Sequence, residues 1–402
     1  MRGYLIKMNK ENSSELLEGW AELGDVCKIE KGTSITKATI TRGDVPVIAG
    51  GRQPAYYHNV SNRDGRTITV SASGYAGFVN YFECPIFASD CITIKTKDEN
   101  ILATKFVFHF LKSRQEDIYK LQKGTAQQHV YGKDLVKIKI PVPLIEVQKE
   151  IVQEIEKQFT RLDAAVKSLK EVKNKLEVYR KSVLKAAFEG KLVPFGDSLK
   201  DKLISNYCKK VRQINPKKEG FSTFLYLDIA SIDNKQNNVL SPKTISSENA
   251  PSRARQETFP GDIVYSTVRV YLMNLAVVPE VDDQKIISST GFTVLRPSEE
   301  LNNKFLLYYL LSDGVTNFLT AKQRGTSYPA IRDGDIFGLN IKVPKIDIQE
   351  EIVYEIESRF SVIDKLEETV DNALLKAEQL RKSILKSAFE GKLVKFNRGG
   401  EK

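Results

Sequence analysis

The sequence predicts an α+β protein in which two strand-rich α/β domains are joined by two long helices that pair with each other as an antiparallel intramolecular coiled coil. Three observations lead there. Residues 180 to 193 (RKSVLKAAFEGKLV) return at 381 to 394 (RKSILKSAFEGKLV) with 12 of 14 residues identical, and the register holds without a gap over Ile145 to Val193 against Ile346 to Val394, where 24 of 49 positions agree. The chain is therefore a duplication of one unit of about 200 residues. Each copy carries an apolar seam of helical period, and what precedes each copy reads as short β-prone runs between turn residues.

In order, the expected segments are a domain at 1 to 144, a first helical repeat at 145 to 199, a second domain at 200 to 344, and a second helical repeat with its tail at 345 to 402. The first domain offers the runs 67 to 71 (TITVS), 78 to 82 (FVNYF) and 92 to 95 (ITIK), then a helix at 104 to 112. It closes on LVKIKIPVP, whose prolines 141 and 143 stop any strand or helix before the long one begins. The second domain repeats that order with little identity: KFLLYYLLS at 304 to 312 lies against KFVFHFLKS at 105 to 113, GFTVL at 291 to 295 against CITIK at 91 to 95, and Gly325-Thr326 against Gly124-Thr125.

In the first helical copy Ile151, Ile155, Phe159, Leu162, Val166, Leu169, Leu176, Tyr179 and Val183 recur at steps of mostly three and four, uninterrupted by Pro or Gly. The second keeps Ile352, Ile356, Phe360, Ile363, Val370, Leu380 and Ile384, with Glu367 and Ala377 weakening the middle. Each is a helix of roughly 40 residues, about 60 Å long, stopped by Gly190 and Gly391. Residues 146 to 193 carry 11 Lys/Arg against 8 Asp/Glu and residues 345 to 394 carry 8 against 11, so the two balances are opposite and suit mutual pairing; an ordinary solvated face is the plainer reading of charge by itself.

The net charge of +10 accordingly resides outside the helices, with +5 in residues 1 to 145, +3 in 194 to 344 and +2 after Val394. Excess positive charge on the globular parts fits an anionic polymer as partner. There is no signal peptide and no apolar run near 18 residues, which predicts a cytoplasmic protein with no membrane partner. The four cysteines, Cys27, Cys84, Cys91 and Cys208, are too scattered for a metal site or a disulfide framework and are expected as reduced thiols.

The order of these stretches is similar to the specificity subunit of type I restriction–modification systems. The residues that carry the resemblance are LGDVCKIEKGTSITK at 23 to 37, GTAQQHVYGKDLVKIKIPVP at 124 to 143, YLDIASIDN at 226 to 234, GDIVYSTVRVYLMNLAVVP at 261 to 279, STGFTVLRP at 289 to 297, and the two QKEIV/QEEIV and AFEGKLV helix ends. It spans nearly the whole chain. The resemblance implies that each domain is a target-recognition domain reading one half of a split site in double-stranded DNA. It implies that the helical pair sets the gap and docks two adenine methyltransferase subunits, with restriction/translocase subunits in the full complex. Two equivalent halves on antiparallel helices imply a pseudo-twofold axis matching the dyads of the duplex, and a 60 Å ruler limits the gap to roughly 18 base pairs.

For DNA contact, phosphate and base-edge chemistry favours Arg63, Arg66, Ser71, Ser73, Tyr75, Lys123, Gly124, Thr125, Gln127, Gln128 and His129 in the first domain, and Ser266, Thr267, Arg269, Tyr271, Arg324, Gly325, Thr326, Ser327 and Tyr328 in the second. A plain surface role is the alternative for each, and the two Gly-Thr loops stand out because they fall at equivalent places. Among the repeated helix-end residues, Gln148, Glu150, Arg180, Lys181, Phe188, Gln349, Glu351, Arg381, Lys382 and Phe389 are candidates for partner binding, against a merely structural role in the helix pair.

Catalysis is argued against by omission. There is no phosphate loop, no Gly-rich turn for S-adenosylmethionine, and no Asn-Pro-Pro-Tyr type of motif, since Asn215-Pro216 is followed by two lysines. Pro260, Asp262 and Asp283-Gln284-Lys285 imitate a metal-nuclease set only superficially. His58, His109 and His129 lack partners at metal or triad spacing, with His109 expected to pack. No cofactor is expected. A protein-binding adaptor is the remaining alternative class.

Overall fold

The computed structural model describes residues 19–195, 199, 201–281 and 284–394. Residues 1–18 of the first expected domain, the tail after Val394 and Asp283 lie outside the described residues. The chain divides into two compact units, one made of residues up to Leu169 together with those from Asp371 on, the other of Lys170–Val370.

The first unit is built on a four-stranded antiparallel sheet in the order Cys27–Lys31, Cys91–Thr96, Thr67–Ser71, Val79–Phe82. Thr67–Ser71 is buried along its whole length because it is central, which is why its β-branched run shows no apolar/polar alternation. A three-stranded sheet of Tyr56–His58, Val45–Ile48 and Phe87–Ala88 lies after the first strand in sequence. The helix Thr104–Ser113 puts Phe106, Val107, Phe110 and Leu111 into a core with Ile68, Val70 and Ile94. That core continues into the helical part of the unit through Val147, Ile151 and Ile155 on one segment and Ile384, Leu385 and Ala388 on the other.

The second unit repeats the plan. Its four-stranded antiparallel sheet runs Cys208–Lys209, Phe292–Pro297, Ile263–Ser266, Leu275–Val277. A second sheet, ordered Lys243–Ser246, Thr223–Leu227, Ile286–Ser289, Ala254–Thr258, is larger than its counterpart in the first unit. The helix Asn303–Leu310 supplies Phe305, Leu306 and Leu310 to a core with Ile263, Tyr265 and Leu295, extended by Val183, Leu184 and Ala187 and by Ile352 and Ile356.

One register expectation is corrected. Cys91 is paired with Ser71, and in the second unit it is Phe292, not Gly291, that faces Ser266 at the end of the equivalent strand. A slip of one residue sends every side chain to the opposite face, and here, where both strands are buried for most of their length, the backbone pairing decides the match.

The long helices are Ile145–Phe188 and Ile346–Phe389, 44 residues each. Both end in the same cap. The Lys191 amide donates to Ala186 O and Gly190 sits at φ +70°; Lys392 donates to Ser387 O and Gly391 sits at φ +71°. Glycine is needed there for the left-handed residue that closes a Schellman motif. Two expected seam positions, Tyr179 and Leu380, are half exposed instead. Glu367, which breaks the apolar seam, accepts an ion pair from Arg180 at 3.5 Å within the second unit.

The helix starts are sewn to their domains by a buried glutamine. Gln148 is fully buried; its carbonyl accepts from the Ala103 amide at 2.8 Å while its amide donates to Ile101 O (2.8 Å) and Pro143 O (2.7 Å). Gln349 repeats the set with the Asn302 amide, Glu300 O and Pro344 O. Truncating either to alanine strands one buried donor and two acceptors, so Gln148→Ala and Gln349→Ala are each expected to cost about 2–4 kcal/mol in their own unit. Denaturant unfolding with amide exchange at the helix starts measures it.

His109 packs as expected, edge-on to Phe159 with ring centroids 6.0 Å apart, but its Nδ1 is buried without a partner among the described residues. Burial, and secondarily Lys105, push its pKa down to about 4. The folded pKa lies below the unfolded value, so the contribution is intact above about pH 6.5 and is lost as pH falls toward 4. Between pH 7.5 and 5 the wild type is expected to lose about 2 kcal/mol relative to His109→Phe, read as a difference in unfolding free energy at the two pH values.

Candidate nucleic-acid interface

The same edge is constructed in both domains from a turn and a loop. The turn follows the third strand of each four-stranded sheet. Its backbone is tied to the loop: Val130 N donates to Ala72 O at 3.0 Å in the first domain, and Ile331 N to Thr267 O at 2.9 Å in the second. The loop itself is closed by a reciprocal backbone pair, Lys123 with His129 (2.9 and 2.8 Å) and Arg324 with Ala330 (2.8 and 2.9 Å). A cation at its base grips a carboxylate eleven residues on, Lys123 to Asp134 at 2.8 Å and Arg324 to Asp335 at 2.7 Å. Hydrogen bonds from Arg324, and then from the Arg332 amide, hold the Asp335 carboxyl down at about 2.

Both loops turn on a left-handed glycine, Gly124 at φ +117° and Gly325 at φ +94°. A Cβ at Gly124 would stand 2.3 Å from Gln127 O, and one at Gly325 3.4 Å from Tyr328 O. Between the closing pairs Thr125, Gln127 and Gln128 are exposed in one loop and Thr326, Ser327 and Tyr328 in the other. Gln128 donates back to Gly124 O at 2.7 Å, and Tyr328 is 73 % exposed. The scaffold is thus shared while the tip residues differ.

The other expected DNA-contact residues separate into surface and framework. Arg66, at φ +59°, is exposed, as are Tyr75 (53 %) and Tyr271 (49 %) and the side chain of Arg269. His129 is half-buried and stacks on Tyr131 at 6.3 Å. Arg63 is a correction: it is consumed by Thr93 Oγ1 (3.0 Å), Asn62 O (2.7 Å) and Lys31 O (3.1 Å), bolting one strand to its neighbours. Ser71, Ser73, Ser266 and Thr267 are buried, and their hydroxyls fasten the turn to Gly51 O, Asp90, Val268 O and Gly291 O respectively. Small hydroxyl residues at a turn carry no sequence mark that separates internal from external hydrogen bonding.

A further residue was not legible in the sequence. Arg52 lies with its guanidinium 4.6 Å from the Tyr75 ring centroid and 5.6 Å from that of Phe78, beside Lys112 at 4.1 Å from Phe78. Burial, then Arg52 and Arg381, lower the Lys112 pKa to about 8.

Most residues of the repeated helix ends make contacts within their own unit. Phe389 packs on Phe106 and Phe110 in one unit, and Phe188 on Phe305 and Tyr309 in the other. Arg381 pairs with Asp163 over the Phe159 ring, and Arg180 with Asp364 over the Phe360 ring. Lys382 reaches Glu116 at 3.2 Å and Lys181 reaches Asp313 at 3.8 Å. Gln148 and Gln349 are buried as described. Glu150 and Glu351 are exposed.

Of the nuclease-like set, Asp283 lies outside the described residues. Asp262 is buried and accepts two hydrogen bonds from Arg296, at 2.9 and 2.8 Å, and one from the Phe259 amide. No group of three His, Cys, Asp or Glu residues able to hold a metal occurs among the described residues, and none of their helices is long and apolar enough to cross a membrane.

Fold and surface together define a duplicated two-domain protein that displays different side chains from matched scaffolds. The chain belongs to the type I restriction modification DNA specificity domain family, whose model matches residues 18–178 and 226–376. It is similar to the Escherichia coli type I restriction enzyme EcoDI specificity subunit, 22 % identical over 93 % of this chain and 88 % of that one. It is also similar to the E. coli EcoKI specificity subunit, 24 % identical over 78 % and 70 %. The Methanocaldococcus jannaschii MjaVIII specificity subunit is 25 % identical over 77 % and 74 %. Its fold matches a solved chain from work on complex assembly and conformational transition of the type I R-M system, with TM-score 0.71 and 18 % identity over 93 % of this chain and 98 % of that one. The HsdS subunit of Thermoanaerobacter tengcongensis matches with TM-score 0.55 and 19 % identity over 93 % and 97 %.

The glycine geometry predicts an asymmetry. Gly124→Ala should open its loop by about 1–3 kcal/mol, accelerating amide exchange at Lys123 and His129 by roughly 10- to 100-fold, whereas Gly325→Ala, with more room, should affect Arg324 and Ala330 less.

Proposed function

We propose that this chain is the DNA-reading, non-catalytic subunit of a type I restriction–modification complex. Each domain reads one half of a split target in double-stranded DNA through its exposed turn and Gly-Thr loop. The long helices, paired antiparallel as a coiled coil, separate the half-sites and dock two adenine methyltransferase subunits, with restriction/translocase subunits completing the assembly. The observation that carries this reading is the pair of matched edges with different tips, Thr125, Gln127 and Gln128 against Thr326, Ser327 and Tyr328. A common frame fixes how a backbone approaches the duplex, while the tip residues carry what each domain recognises.

The names of the relatives support the same role. The contacts at the edge divide by chemistry. Backbone amides near Gly124 and Gly325, with Lys123 and Arg324, suit phosphates, and Tyr75, Gln127, Arg269 and Tyr328 suit base edges or sugar, while Arg66 precedes the strand Thr67–Ser71 at its other end. Among the repeated helix-end residues the methyltransferase surface is assigned to the exposed ones, Glu150 and Glu351 together with Lys181 and Lys382, whose ion pairs with Asp313 and Glu116 are themselves on the surface.

Sequencing methylated adenines in cells with and without this chain, beside its methyltransferase, should give a split motif that depends on the chain. Replacing residues 201 to 344 by a relative's domain should change one half of that motif and keep the other. Methylation unchanged by loss of the chain refutes the role, and affinity indifferent to salt favours an adaptor instead.

A further inference from the structure

The turns after the third sheet strand differ in sequence and length, and share a left-handed residue at one place. Three residues past Ser71 stands Gly74 at φ +62°; three residues past Ser266 stands Arg269 at φ +51°. The sister domain fills this left-handed position with the residue that suits it, whereas here an arginine is held in a conformation that costs a side-chain-bearing residue about 1 kcal/mol. Its N–H is engaged by Pro329 O at 2.8 Å, so the backbone is fixed by the Gly-Thr loop and would be fixed equally with glycine. Met273 in the same turn is also left-handed, at φ +50°, so what sets Arg269 apart is where its side chain lies.

That side chain is exposed and shows no carboxylate partner among the described residues; its guanidinium lies 5.5 Å from the Tyr328 ring centroid, on the tip of the loop. The first domain reaches the same end by another route. A side chain at Gly74 is precluded, since its Cβ would lie 2.9 Å from Gly50 O. The Tyr75 amide donates to that same oxygen at 2.8 Å, docking the turn on the Gly50-Gly51-Arg52 segment and laying the Arg52 guanidinium 4.6 Å from the Tyr75 ring centroid. Arg52 likewise has no carboxylate partner among the described residues. Two unrelated backbone positions thus deliver one constellation, an unneutralised guanidinium stacked on an exposed tyrosine at the turn-and-loop edge.

We infer that Arg52 and Arg269 are the guanine-reading residues of the first and second domains, each aimed by its tyrosine at a G·C pair of its own half-site. This rests on the DNA-reading role proposed above. A ring under a guanidinium leaves the donor fork in plane and free, and limits its rotation; such a fork matches O6 and N7 of guanine in the major groove. A phosphate contact needs only charge and gives no reason to hold arginine in a left-handed conformation or to recreate the stack from a different loop.

The test uses the complete complex with its methyltransferase, reading the methylated motif in cells and binding to duplexes with each G·C pair changed in turn. Arg269→Gly relieves the backbone and installs the sister domain's own residue, so its melting temperature should stay level or rise. It should lower discrimination at one G·C position by roughly 10- to 100-fold, only in the half-site that exchange of residues 201 to 344 alters. Arg269→Lys, which keeps the charge and loses the fork, should do the same, and Arg52→Lys should act at one position of the other half-site. Uniformly weaker binding with the motif unchanged, retained discrimination in the lysine variants, or a half-site without a G·C pair overturns the assignment. A wild-type complex with no chain-dependent motif defeats the underlying role instead, before any variant is compared.

Discussion

The end of a long helix must be buried against a globular domain, and the rest of the architecture follows from how that is done. A 44-residue helix with an apolar seam and exposed charge elsewhere has little stability by itself. Each unit covers the first half of one such helix and the last half of the other with the same domain core. Phe389 enters between Phe106 and Phe110, Phe188 meets Phe305 and Tyr309, and Ala187 and Ala388 are buried beside them. The domain and helices of a unit therefore share one apolar core and are expected to hold a fixed orientation within it.

This explains why duplication preserved the helix ends and let the domains diverge. Arg180 and Arg381, Gln148 and Gln349, and Phe188 and Phe389 each perform an identical task in their own unit: a change at either glutamine leaves buried groups unpaired, one at either phenylalanine leaves its ring partners unpacked, and one at either arginine removes a partly exposed ion pair laid over a ring. The sheets tolerate exchange as long as their burial pattern is kept. The second sheets differ accordingly, three strands in one domain and four in the other. The edges share the strand-to-loop ties and differ in their turns and tip residues.

Charge is distributed to the same effect. Several helix-end cations are neutralised within their unit, while Arg52 and Arg269 at the turn-and-loop edges have no carboxylate partner among the described residues. Each turn-and-loop edge thus carries an unpaired guanidinium beside its variable side chains, which suits an anionic polymer.

The duplication, both long helices and their glycine stops, the central strand Thr67–Ser71 and the domain helices were legible in the sequence, because period and apolar content are local properties of the chain. The two Gly-Thr loops were legible too, since a left-handed glycine leaves its mark in composition. What only the tertiary structure decided is which polar side chains turn inward. Arg63, Ser71, Ser73, Ser266 and Thr267 look like surface donors in sequence and are framework in space; Gln148 and Gln349 look like helix-surface residues and are buried. Arg52 shows no motif at all and acquires its place over Tyr75 only because Gly74 lets the turn sit against Gly50. Hydrogen-bond partners distant in sequence are set by strand order and loop docking, and those exist only once the core has formed.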